Sequence, residues 1–174
     1  MTADAVRAIE SGKMMLRNAT LADVNALAEV EKACFPAAEA ASLAAIRERV
    51  AAYGDCFWLL FQEAKLLGFV DGMVTDEKDL RDEMYQDASL HNPQGKWQMI
   101  FGLNTLPEYR RRGYAGQMIK AMIESAETAG RTGVVLTCKE PLLHYYHKFG
   151  FVNEGISEST HGDVLWYQMR LLLK

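Results

Sequence analysis

At 174 residues the chain has the length of one ordinary domain, enough to bury about 70% of the surface its unfolded form exposes. A hydrophobic fraction of 49% and a charged fraction of 24% exclude a disordered or fibrous chain, and a net charge of -4 with pI near 5.6 excludes general attraction to nucleic acid or anionic membrane. Cys34, Cys56 and Cys138 are odd in number and lack C-x-x-C spacing, so they read as free thiols in a reducing cytoplasm, with no metal site.

Met1 to Lys13 carries Asp4 and Glu10 and lacks the apolar core of a secretory signal, so residues 1–13 read as a disordered leader before a single domain over 14–174. No apolar run approaches the roughly 18 residues that cross a bilayer, and no repeat recurs at a fixed period. Met14 to Arg17 is a short apolar strand. Thr20, with Asp23 in capping-box position, opens a helix that runs to about Ala33, with Val24, Leu27, Ala28 and Ala33 inward and Glu29, Glu31 and Lys32 on the wet face. Ser42 caps a second helix carrying Leu43, Ile46 and Val50, which stops at Tyr53-Gly54.

Phe57 to Phe61 and Leu66 to Val74 flank Gln62-Glu63-Ala64-Lys65 as an antiparallel hairpin. Thr75 to Gly95, crowded with Asp76, Glu77, Asp79, Asp82, Glu83 and Asp87, reads as a long surface excursion that suits a basic substrate. Trp97 to Thr105 resumes a strand, Gly113 to Ala129 is an amphipathic helix, and Val134 to Thr137 is a buried strand. Leu142 to Phe149 reads as a helix ended by Gly150, before strands at Phe151-Val152 and Val164 to Leu172. The order β-α-α-β-β-β-α-β-α-β-β is that of a mixed α/β fold with helices on the sheet faces.

One segment carries chemistry. Tyr109-Arg110-Arg111-Arg112-Gly113-Tyr114-Ala115-Gly116 stands between a strand and the start of a helix, where unpaired N–H groups and a partial positive charge can seat a pyrophosphate. A basic triplet alone is ordinarily a solvated face; the small residues Gly113, Ala115 and Gly116 at a helix entrance point instead to an anion. About thirty residues later, Leu136 to Phe151 ends in Tyr146-His147-Lys148-Phe149-Gly150-Phe151.

The first segment resembles the R/Q-x-x-G-x-G/A motif of the GNAT superfamily of acyl-CoA N-acyltransferases, and the second is similar to that superfamily's later Y-x-x-F-G-F signature. Together with Glu31-Lys32-Ala33-Cys34-Phe35-Pro36 and Leu90-His91-Asn92-Pro93-Gln94-Gly95 they resemble the arylalkylamine, or serotonin-type, branch. The resemblance implies a GNAT-like, mostly antiparallel central sheet with helices on both faces, and acetyl-CoA as co-substrate. Arg110, Arg111, Arg112, Gly113, Tyr114, Ala115 and Gly116 would then cradle its pyrophosphate, and Leu103, Asn104 and Thr105 would pair with the pantetheine. Leu103 N–H would face the thioester oxygen, and Tyr146 would protonate the leaving thiolate. Phe35 and Trp166 match positions that line the branch's amine pocket.

Where that branch has a pair of histidines to drain the amine's proton, this chain has Met99 and Phe101. The base stays open among His91, Glu39, Glu83, His144 and a water chain. The expected reaction is acetyl transfer to a small primary amine, arylalkylamine or polyamine-like, by direct attack in a ternary complex. Cys138 is the candidate for a rival acyl-cysteine route. Transfer to a protein N-terminus or lysine, or a non-catalytic acetyl-CoA-binding module, are the alternatives. Neither nucleic acid nor membrane is an expected partner, and a homodimer is compatible with the sequence.

Overall fold

The structure is a computed structural model, described over residues 6–9, 14–159 and 161–174. The chain forms two compact units, Met1–Gly72 with Gly102–Met122, and Met73–Phe101 with Ile123–Lys174. Each has its own five-stranded sheet. Within the expected leader, Val6–Ile9 is a strand; residues 1–5 and 10–13 lie outside the described residues.

In the first unit the strands run in the order β1-β2-β3-β4-β7, all antiparallel, with β1 Val6–Ile9, β2 Met14–Arg17, β3 Phe57–Gln62, β4 Lys65–Asp71 and β7 Gly102–Thr105. The β3–β4 turn is closed by Glu63 in the left-handed region at φ 56°. Thr20 donates its backbone N–H to Asp23, whose carboxylate also takes two bonds from Arg17 at 2.8 Å each. A 3-10 turn over Leu21–Asp23 follows, so helix α1 proper is Val24–Cys34. Ser42 caps α2, Leu43–Tyr53, by accepting the Ala45 N–H at 3.1 Å. Leu27, Ile46, Tyr53, Phe57, Leu59 and Phe69 fill the core.

Glu31 differs from its expected place on the wet face of α1: it is 5% exposed. The reason is tertiary, since its carboxylate accepts the Asn104 side-chain N–H at 2.8 Å and the Ala41 backbone N–H at 3.1 Å. A buried carboxylate is tolerated when its oxygens are bonded in this way.

The second unit's sheet runs β5-β6-β8-β10-β9, with β5 Val74–Thr75, β6 Trp97–Ile100, β8 Gly133–Cys138, β9 Val152–Ile156 and β10 Tyr167–Leu172. The β6–β8 pair is parallel and the others are antiparallel, which makes the fold mixed and mostly antiparallel. Trp97 to Thr105, expected as one strand, is broken at Phe101 into β6 and β7, one in each sheet. Helix α3, Asp82–Gln86, interrupts the long excursion, and α5 is Leu143–His147. Helix α4, Tyr114–Thr128, buries Met118, Ile119 and Met122 as its periodicity requires, and carries the chain from the first unit into the second. No helix among the described residues is long and apolar enough to cross a membrane.

Candidate active site

Strand β7 ends the first sheet, with β4 as its neighbour. The Leu106 N–H donates to the Leu67 carbonyl at 2.8 Å, and the pairing register continues as Thr105 with Gly68, Asn104 with Phe69, Leu103 with Val70 and Gly102 with Asp71. Hydrogen-bonded and non-hydrogen-bonded pairs alternate in an antiparallel ladder, so Asn104 and Gly102 bond to β4, and the N–H and C=O groups of Leu103 and Thr105 turn away from it. That leaves the Leu103 N–H and C=O and the Thr105 N–H directed to the side on which an extended, amide-bearing chain could pair.

Past β7 the chain makes a 3-10 turn over Pro107–Tyr109 and enters the arginine run. Arg110 is exposed but tethered: its Nε donates to the Thr105 carbonyl at 2.9 Å, where the Cys34 thiol also donates at 3.3 Å. Arg112 stacks over the Tyr109 ring at 5.3 Å and donates to the Glu108 carbonyl at 3.4 Å. Arg111 is exposed at φ 64°, and Gly113 follows at φ 80°, a conformation that L-residues rarely adopt. Two left-handed residues thus stand just before the helix entrance. A β-carbon on Gly113 would meet nothing within 4 Å.

Gln117 N–H donates to the Gly113 carbonyl at 3.3 Å and so begins the helical series. The N–H groups of Tyr114, Ala115 and Gly116 come before it and, among the described residues, donate to no backbone carbonyl. The Thr105 hydroxyl and the Gln117 side-chain carbonyl are buried without hydrogen-bond partners among the described residues. Bare amides, positive dipole and orphaned polar atoms together fit a phosphorylated, amide-bearing ligand.

The first unit also holds a polar cluster that the sequence did not disclose. Asp71, 1% exposed at the end of β4, pairs with Arg49 of α2, its Oδ2 lying 3.2 Å from Nη1. Burial pushes the Asp71 carboxyl up to about 7, against the pull of Arg49 and with Glu31 adding to the rise. Phe35 caps the C-terminus of α1 in an extended conformation and is half-buried.

Tyr146, in the second unit, is 7% exposed, its ring held edge-on by Tyr145 at 5.3 Å and Phe151 at 6.0 Å. Burial raises its pKa, with Cys138, Tyr145 and Tyr85 adding, so the phenol stays protonated at neutral pH. Cys138 is 2% exposed and its thiol, 3.7 Å from the Met169 sulfur, is pushed up by burial to about 11. The thiol form therefore prevails at pH 7, and the thiolate is the form that attacks. Trp166 lies under the Lys139 ammonium at 5.7 Å.

The residues in place of the branch's histidines carry no titratable group. Met99 is fully buried, and Phe101 packs on Tyr85 at 4.6 Å. Among the base candidates, His91 uses Nδ1 to accept the Val74 N–H at 3.0 Å, Glu83 is exposed and paired with Arg81 at 3.1 Å, His144 is exposed on α5, and Glu39 is half-buried. The six carboxylates of the excursion all have partners. Asp76 accepts from Asn92, Glu77 and Glu83 pair with Arg81, Asp79 pairs with Arg170 at 2.6 Å, Asp82 accepts from Ser159, and Asp87 accepts from Ser89.

Residues 24–151 match the acetyltransferase (GNAT) family, and the chain belongs to that family. Among curated relatives it is 27% identical over 107 residues to human N-acetyltransferase 8, covering 60% of this chain and 41% of that protein. It is 25% identical over 116 residues to serotonin N-acetyltransferase of Mesocricetus auratus, covering 66% and 54%. The matched stretches thus span about half the length of those relatives. The loading GNATL domain of CurA from Lyngbya majuscula superposes with TM-score 0.81 at 18% identity, covering 91% of this chain and 97% of that one. A GphF GNAT-like decarboxylase in complex with isobutyryl-CoA superposes with TM-score 0.76 at 22% identity, covering 91% and 99%. At these identities the likeness is one of fold.

Proposed function

We propose that the chain transfers an acetyl group from acetyl-CoA to a small primary amine, by direct attack in a ternary complex, in a reducing cytoplasm. The observation that carries this reading is the bare helix entrance of α4 next in sequence to a strand whose Leu103 and Thr105 backbone groups turn away from β4. The amides of Tyr114, Ala115 and Gly116, with exposed Arg111, hold the pyrophosphate. The Leu103 N–H donates to the thioester oxygen, where negative charge grows as nitrogen adds to the carbonyl.

Tyr146 donates its hydroxyl proton to the departing sulfur; its raised pKa keeps that proton on the phenol until a thiolate forms nearby. Direct attack is favoured over an acyl-cysteine because the Cys138 thiol is buried and pushed up to about 11. Phe35 and Trp166 supply apolar walls to an aromatic amine. An arylalkylamine is favoured over a polyamine or a basic peptide, because each carboxylate of the Asp76 to Asp87 stretch already has a partner.

A screen with acetyl-CoA and phenylalkylamines, indolealkylamines, polyamines, aminoglycosides and peptides, read by thiol release, tests the reading. Turnover with the aryl amines is expected. Activity confined to peptides would move the acceptor to a protein, and acetyl-CoA binding without turnover on any acceptor would make the chain a binding module.

A further inference from the structure

Gly102 of β7 faces Asp71 of β4 across the ladder, and Asn104 stands two residues on, so all three share one face of the first sheet. A β-carbon placed on Gly102 would lie 3.1 Å from Asn104 Oδ1, 3.4 Å from Asp71 Oδ1 and 3.8 Å from Phe35 Cε2. A side chain at this position would therefore press on two oxygens and an aromatic edge, and glycine keeps both oxygens clear of one. Both oxygens are buried and, among the described residues, have no hydrogen-bond partner. Asn104 and Asp71 are each 1% exposed, while Gly102 and Phe35 at the mouth are half-buried.

The orientation of the Asn104 amide follows from chemistry. A carboxylate oxygen such as Glu31 Oε1 accepts, so the NH₂ group faces it at 2.8 Å and the carbonyl oxygen is the atom turned to Gly102. Two buried acceptors without partners on either side of one glycine call for a donor with several protons, since buried polar groups are rarely left unmet in a folded protein.

We infer that the substrate's ammonium group seats over Gly102, hydrogen-bonded to Asn104 Oδ1, and that Asp71 Oδ1 takes its proton, making Asp71 the base that Met99 and Phe101 do not provide. This rests on the acetyl-transfer reading above. One N–H bond of the ammonium breaks, its proton passes to the Asp71 carboxylate, and the freed lone pair forms the C–N bond at the thioester carbonyl. The C–S bond then breaks with its electron pair on sulfur, which takes up a proton equivalent to the second one lost from nitrogen. Asp71 returns its own proton to solvent.

Three charged or titratable groups face Asp71: Arg49 and Tyr53 from α2 and Glu31 from α1. Arg49 keeps the carboxylate available, while burial and Glu31 make it more basic than an ordinary aspartate. An alkylammonium with pKa about 10 gives its proton to such a group far more readily than to a carboxyl near 4.

The test uses acetyl-CoA with 2-phenylethylamine. In the wild type kcat/KM should rise through about pH 7 as Asp71 ionises. Asp71→Asn should lower kcat by about 10²–10⁴ at pH 7.5 and remove that limb, leaving a rate that climbs toward pH 10 with the free amine, while acetyl-CoA affinity is unchanged. Because Asp71→Asn also leaves Arg49 without its carboxylate, Gly102→Ala is the second probe. Its methyl group presses on both acceptors and should raise the amine KM by about tenfold or more with the acetyl-CoA KM unaltered. A wild-type pH profile in Asp71→Asn, or an unchanged amine KM in Gly102→Ala, overturns the inference while leaving acetyl transfer standing. A wild-type enzyme that acetylates no amine at any pH overturns both.

Discussion

The Arg110 guanidinium is tied by its Nε to the Thr105 carbonyl at 2.9 Å, which fixes the first arginine of the loop to the strand. Its effect on acetyl-CoA is then one of position. Arg110→Ala should raise the acetyl-CoA Kd by about tenfold, the scale of one lost charge-assisted hydrogen bond. Arg110→Lys should fail to restore it, because a lysine has no Nε donor to span the turn. Calorimetric titration of both variants checks this; full rescue by lysine would mean that Arg110 acts only through charge.

Gly113 stands at φ 80° with open space beyond its α-carbon. Gly113→Val should cost about 1–2 kcal/mol of folding stability from backbone strain alone. It should weaken acetyl-CoA binding far more than amine binding, since the isopropyl group occupies the pyrophosphate's place. Titration of each ligand separately, beside a thermal melt, distinguishes loop occlusion from general destabilisation.

Tyr146→Phe keeps the edge-on ring contacts with Tyr145 and Phe151 and removes only the hydroxyl. Folding should survive, kcat should fall by about 10²–10⁴, and acetyl-CoA affinity should change little. A thioester with a more acidic leaving thiol should recover part of the rate. Wild-type kcat in this variant, measured where chemistry limits turnover, would place the acid elsewhere.

Cys138→Ala removes a buried thiol that lies 3.7 Å from the Met169 sulfur. Transfer should continue within about threefold of wild type, and initial rates with both substrates varied should give intersecting lines. Parallel lines, lost in the variant, would establish an acyl-cysteine.

Arg170, with a side chain 6% exposed, holds Asp79 at 2.6 Å and Glu154 at 2.9 Å and fastens the acidic excursion to β10. The Gln168 and Arg170 bonds hold Asp79 below the usual carboxylate range, and Arg170 does the same for Glu154. Acids depressed on folding stabilise the protein above their unfolded values near 4 and lose that contribution as pH falls through the folded values. Arg170→Met should therefore lower Tm at pH 7 by about 2–6 °C and flatten the decline of Tm below about pH 4. Both carboxylates are partly solvated, so the effect is modest.

What could be read in the sequence was local. The arginine-glycine turn and the Tyr146 block are contiguous, and the periodicity of α2 and α4 follows from residues three and four apart. The break at Phe101 left no such mark, because Trp97 to Thr105 reads as one continuous strand although β6 and β7 belong to different sheets. Glu31 looked solvated because its partners, Asn104 and Ala41, are 73 and 10 residues away. Asp71 was one acid in an apolar run, and Arg49, 22 residues earlier on another element, gives it a context only after folding. The acidic excursion looked like a surface for cations until Arg170, 91 residues beyond Asp79, proved to hold it.

The most direct measurement of acetyl transfer is thiol release from acetyl-CoA in the presence of 2-phenylethylamine, with the acetylated product identified by mass. The account predicts one thiol per acetamide formed, saturable in both substrates and abolished or sharply reduced in Tyr146→Phe. Acetyl-CoA that binds yet is turned over with neither this amine nor any member of the amine panel would contradict it.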